Sequence, residues 1–130
     1  GLNNYNTYKK FGKAVYKSKK NLIKIIKDIK YTKKRIIGYG ATAKATTILN
    51  YCCIDNNMID YFVDTTPDKE NKLMPGKNIQ IKKYHKNLLV DIDYIYLGAW
   101  NFKDEIFKKE KAFIKRGGKF ITHVPYPKII

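Results

Sequence analysis

Residues 35–51 read RIIGYGATAKATTILNY. A short apolar run meets two glycines, then small residues, then a segment with helical spacing. This is a strand, a tight turn and a helix, the start of a β-α-β unit. The glycine pattern is Gly38-x-Gly40-x-x-Ala43, the Gly/Ala form of a dinucleotide fingerprint. In such a loop Gly38 permits a tight turn, Gly40 lets backbone approach a phosphate, and Ala43 lets helix and strand pack closely. Lys44 stands in the first helical turn, where the helix already carries partial positive charge. An anion on that turn would give this cation a partner.

Outward from this stretch the alternation continues. Residues 59–64 (IDYFVD), 79–83 (IQIKK), 93–99 (DYIYLGA) and 119–124 (KFITHV) read as strands, rich in β-branched and aromatic residues. Residues 42–53 and 102–115 read as helices, the second closed by Gly117-Gly118. Pro75-Gly76 suits a type II turn, and Pro125 and Pro127 stop the last strand. Strands alternating with helices predict an α/β fold: a Rossmann-like, doubly wound parallel sheet of order 3-2-1-4-5. Before it, Tyr8, Phe11, Val15, Leu22, Ile25, Ile26 and Ile29 form one apolar stripe, with Ser18 in the gap. Residues 1–34 are therefore expected as a basic amphipathic helix and 35–130 as the Rossmann-like domain.

With 130 residues the chain is long enough for one domain and one core. The first residue is not Met, which reads as a piece of a longer protein. No apolar run approaches the roughly 20 residues of a membrane span, and the lysine-studded start does not read as a signal peptide. The formal net charge of +16 raises nucleic acid as a partner. Against it, the cations are lysines except for Arg35 and Arg116, and base or phosphate readers favour the planar arginine fork. Cys52 and Cys53 are adjacent, so free thiols and a reducing, cytoplasmic setting are expected. His85 and His123 lack metal-ligand spacing, and no metal is expected.

A ligand of such a sheet binds beyond the carboxyl ends of the strands, where the winding direction switches. Two loops flank that point, 38–44 (GYGATAK) and 98–102 (GAWNF). The first offers Gly38, Tyr39, Gly40, Ala41, Thr42 and Lys44 to phosphates or sugar. Asp64 ends the next strand, where an acid accepts hydrogen bonds from a ribose. Trp100 offers a stacking face. Asn101 suits the opposite wall or an N-cap, with Asp104 completing a capping box. His123 ends the last strand and Tyr126 follows it, both within reach of the crevice mouth, yet no activating partner can be read for either.

The blocks 36–51 (IIGYGATAKATTILNY), 59–69 (IDYFVDTTPDK), 73–81 (LMPGKNIQI), 99–106 (AWNFKDEI) and 116–125 (RGGKFITHVP) stand in order. Together they resemble the C-terminal domain of sugar C-methyltransferases. Those enzymes move a methyl group from S-adenosylmethionine to a carbon of a nucleotide-linked deoxysugar. The resemblance implies a domain that helps hold the nucleotide-linked sugar. It places the methyl donor and the acid–base residues in an upstream domain, behind a zinc-binding region, with none of that chemistry in this chain. Thr65 departs from the family, which often has arginine there. Two other readings stay open: the UDP-sugar-binding module of a sugar acyltransferase, and a plain domain for NAD or S-adenosylmethionine.

Overall fold

The computed structural model describes residues 2–69, 71–123 and 127–130. The side chains of Tyr8, Phe11 and Val15 in the expected stripe lie outside the described residues, as do Pro125 and Tyr126 entirely. Helix α1 (Leu2–Tyr31) precedes strand β1 (Ile36–Tyr39), helix α2 (Ala43–Tyr51) and strand β2 (Tyr61–Asp64). Strands β3 (Gln80–Lys83) and β4 (Tyr94–Leu97), helices α3 (Lys103–Lys109) and α4 (Lys111–Lys115), and strands β5 (Lys119–Thr122) and β6 (Lys128–Ile129) complete it. The six strands form one sheet of order β3-β2-β1-β4-β5-β6. The first five run parallel, and β6 returns antiparallel to β5. This is the Rossmann-like order expected from the alternation, extended by one strand.

Burial on both faces explains why the central strands are apolar without interruption. All four residues of β1 are buried. Alternate residues serve opposite layers, because successive side chains of a strand point to opposite faces. Ile36, Phe62, Ile81, Tyr96 and Ile121 pack on one face with Leu22, Ile26 and Ile29 of α1 and with Ala45 and Leu49 of α2. Ile37, Val63, Ile95, Leu97 and Phe120 pack on the other with Ile106 and Phe113 of the α3–α4 segment. Three apolar positions of α1 are therefore part of the sheet's own core, while Lys13, Lys17, Lys20, Lys24 and Lys27 are exposed.

Turn chemistry holds at both places where it was legible. Gly76 has φ +74°, and Lys77 N donates to Met74 O across the turn. At the end of α4, Gly117 takes φ +97°, and the amides of Gly117 and Gly118 return to Ile114 O and Phe113 O. That is the paired-bond ending that satisfies the last carbonyls of a helix.

Three local expectations differ. The 102–115 helix is interrupted at Glu110, whose φ of −101° and ψ of 35° leave helical space. Asn101 is not an N-cap: the chain enters α3 through a 3₁₀ turn, Trp100–Phe102, and Phe102 takes the cap position with no side-chain hydrogen bond. Ala43 is exposed, so close helix–strand packing falls instead to Ala41 and Ala45, which are buried.

Because Leu22 is fully buried in the shared core, Leu22→Ala should lower stability by about 2–5 kcal/mol. Urea unfolding followed by circular dichroism measures this. An unchanged midpoint would mean that α1 is not integral to the fold.

Candidate functional site

The glycine loop is pinned from both neighbouring strands. Gly40 N donates to Val63 O of β2 at 2.9 Å, while Gly98 N and Ala99 N donate to Tyr39 O at 2.9 and 3.1 Å. Gly40 has φ +92°, and a Cβ there would lie 2.9 Å from Ala99 N. Only glycine tolerates both conditions. Gly38 is a buried strand residue, and any Cβ there would fall on the Phe62 ring. Thr42 caps α2: its hydroxyl accepts from Ala45 N at 3.1 Å and donates to Gly98 O at 2.9 Å.

Asp64 joins the loop to the next connection. Its Oδ2 accepts from Ala41 N at 2.7 Å and its Oδ1 from Thr66 N at 2.8 Å. Lys69 adds its ammonium, 3.9 Å from Oδ2, and donates to Ala41 O at 2.7 Å. Burial pulls the Asp64 carboxyl upward in pKa, but the Thr66 and Ala41 amides with Lys69 outweigh it and hold it below the ordinary value.

Beyond the carboxyl ends of β1, β2 and β3 lies a cavity of about 390 Å³. Tyr39, Gly40, Thr42 and Asp64 line it, as do Thr65, Thr66 and Lys69 from the β2–β3 connection. Tyr84 follows β3, and Phe102, Glu105 and Lys109 stand along the α3 wall. The Tyr39 and Tyr84 rings meet at 5.6 Å with a 56° tilt. Of the residues expected at the site, four line this cavity. Gly38 and Ala41 are buried beside it. Lys44 lies outside it, its ammonium 5.0 Å from the centre of the Trp100 ring. Trp100 is half-buried against the second core layer, and Asn101 is exposed. His123 is half-buried, and burial pushes its pKa down.

Lys69, Phe102 and Glu105 lie within the quoted blocks 59–69 and 99–106 but were not singled out, and Tyr84 and Lys109 lie outside every block. The legible hint was position, since Phe102 closes the 98–102 loop and Tyr84 and Lys69 follow the carboxyl ends of β3 and β2. Among the described residues no group of His, Cys, Asp or Glu side chains could hold a metal ion, and none of the described helices is long and apolar enough to cross a membrane. Cys52 is buried and Cys53 exposed, both as free thiols.

The model of the C-methyltransferase C-terminal domain family matches residues 1–125. The chain belongs to that family. It is also 31% identical over 123 residues to the C-methyltransferase NovU of Streptomyces niveus, an alignment covering 95% of this chain and 29% of NovU. The chain thus spans less than a third of that relative. Within this C-methyltransferase C-terminal domain, the five blocks of sequence that carry the resemblance map onto β1–α2, β2 and its following turn, β3, the start of α3, and β5.

The Asp64 network makes a signed prediction. A carboxyl whose folded pKa is depressed contributes stability above its unfolded pKa of about 3.9, and loses it as pH falls through the lower folded value. Thermal unfolding from pH 6 down to pH 2 should therefore show a steeper loss for the native chain than for Asp64→Asn. Parallel curves would remove Asp64 as the source.

Proposed function

We propose that this domain binds a nucleotide-linked sugar as the C-terminal part of a C-methyltransferase acting in carbohydrate biosynthesis. The observation that carries the reading is the composition of the switch-point cavity. Lys109 offers an ammonium group for a diphosphate, while Lys69 lies on the same wall already bonded to Ala41 O and beside Asp64. The Thr65 and Thr66 hydroxyls and the Glu105 carboxylate offer partners for sugar hydroxyls. Tyr39, Tyr84 and Phe102 offer ring faces and edges for a base. The family assignment favours a methyltransferase over an acyltransferase module.

S-adenosylmethionine is the methyl donor implied for the parent enzyme. It carries a sulfonium cation, and the cavity wall sets the ammonium groups of Lys69 and Lys109 beside the carboxylates of Asp64 and Glu105. With its wall charges balanced two against two, the cavity holds no surplus of negative charge to select the sulfonium. On this reading the donor and the acid–base chemistry belong to another domain, and this chain positions the acceptor sugar. The free thiols suit a reducing, cytoplasmic setting.

Calorimetric titration with UDP- and dTDP-linked sugars tests the reading, with NAD and S-adenosylmethionine as controls. The sugar nucleotides should bind and S-adenosylmethionine should not. Phe102 is 57% exposed and lines the cavity, so Phe102→Ala should weaken sugar-nucleotide binding by about 1–3 kcal/mol, as loss of a stacking face does. Preference for NAD would make this a plain cofactor domain. Binding of neither sugar nucleotide would overturn the proposal.

A further inference from the structure

Glu110 is a carboxylate only 5% exposed, set where the helix breaks between α3 and α4. Burying a carboxylate is costly unless it is paired or hydrogen-bonded. Its hydrogen-bond partner is the Tyr84 hydroxyl, which approaches both oxygens, closely at Oε1 and at 3.1 Å from Oε2. No described cation forms an ion pair with it. Backbone bonding runs on through the break, Glu110 N to Ile106 O and Ile114 N to Glu110 O. The interruption therefore reorients the segment without abandoning its backbone bonds.

Tyr84 and Lys109 both line the cavity, and Lys109 places its ammonium 3.8 Å from the Tyr84 ring centre. Glu105 stands four residues earlier on α3, the spacing at which a carboxylate ordinarily pairs with lysine. Lys109 makes no ion pair with it. A ring whose hydroxyl donates to a carboxylate is polarised toward greater negative charge, and this strengthens its hold on a cation over its face. Burial and the Glu110 charge both raise the Tyr84 pKa, so its hydroxyl keeps its proton.

We infer that Glu110 is a positioning residue: through Tyr84 it fixes the Lys109 ammonium on the cavity wall, where Lys109 meets the anionic group of the ligand. This rests on the reading of the cavity as a nucleotide-sugar site. Glu110 itself is not on the cavity wall, so its effect on a ligand passes through Tyr84. Three features converge on it: the buried charge, the helix break and a cavity lysine held on a ring rather than on the nearby carboxylate.

The test compares UDP with uridine by calorimetry on the whole chain. The two ligands differ only in the diphosphate, so a merely structural defect would weaken both. Lys109→Met should lower UDP affinity about tenfold, the worth of one charge-assisted contact, and leave uridine affinity unchanged. Glu110→Gln keeps an acceptor for Tyr84 but removes the charge, and Tyr84→Phe removes the hydroxyl. Each should lower UDP affinity about threefold to tenfold, spare uridine, and add nothing in a Lys109→Met background. Lys109 is exposed, so its variant should fold and keeps the test decisive if Glu110→Gln does not. Unchanged UDP affinity in Lys109→Met, equal losses for UDP and uridine, or full additivity of Glu110→Gln with Lys109→Met would overturn the inference. If the native chain binds neither UDP nor a UDP- or dTDP-linked sugar, the reading of the cavity falls, and this inference falls with it. Binding that is intact but insensitive to these variants rejects the inference alone.

Discussion

The bond from Ala41 N to the Asp64 carboxylate is the constraint on which the rest of the site depends. One oxygen holds the glycine loop and the other holds the turn after β2. A parallel sheet has no hairpins to lock neighbouring loops together, so adjacent strand ends need a separate tie. Here an acid at the end of β2 supplies it, and Lys69 closes the same junction from above by taking Ala41 O. Thr42 makes the matching tie to β4 through Gly98 O. The cavity is thus framed by groups whose polar atoms are already engaged with one another. Side chains further out, Lys109, Glu105, Thr65 and Thr66, remain on its wall for a ligand.

Much of the fold was legible because one physical fact leaves a strong trace in sequence. Strands buried on both faces must be apolar throughout, and IIGY, YFVD and YIYL stand out against a lysine-rich background. The glycine turn then fixed the first crossover, and the order of the sheet followed. What was not legible has physical reasons too. The two residues of β6 are too few for any period to show. Glu110, at the helix break, is bonded to Tyr84, which is 26 residues away in sequence. Asn101 has the chemistry of a cap, yet the 3₁₀ turn shifts the register by one residue.

The site was read less completely than the fold for a related reason. Tyr39, Gly40, Thr42 and Asp64 sit at strand ends, where topology alone predicts a ligand-facing edge. Lys69 and Lys109 are inconspicuous among so many lysines, and only three-dimensional placement separates them from solvated ones. Lys44 is the converse. Its position in the first turn of α2 made it prominent, and a tryptophan face from the neighbouring loop receives it. An aromatic face offsets the unfavourable helix end without any anion. The cations that line the cavity come from the β2–β3 connection and from α3.

The final antiparallel strand has a bearing on how the molecule behaves in company. A parallel sheet ends in two rows of unsatisfied amides and carbonyls, and such rows invite pairing with other chains. On one side β6 covers β5, with Phe120 and Ile130 exchanging both backbone bonds. On the other, Leu73 bridges Gln80 in the antiparallel sense, and Lys82 and Lys83 punctuate the rim. Strand β6 therefore acts as a selvedge: it covers β5 and, with only two residues, offers a stranger little edge to extend. Without β6 the longer edge of β5 would be open to pairing with other chains.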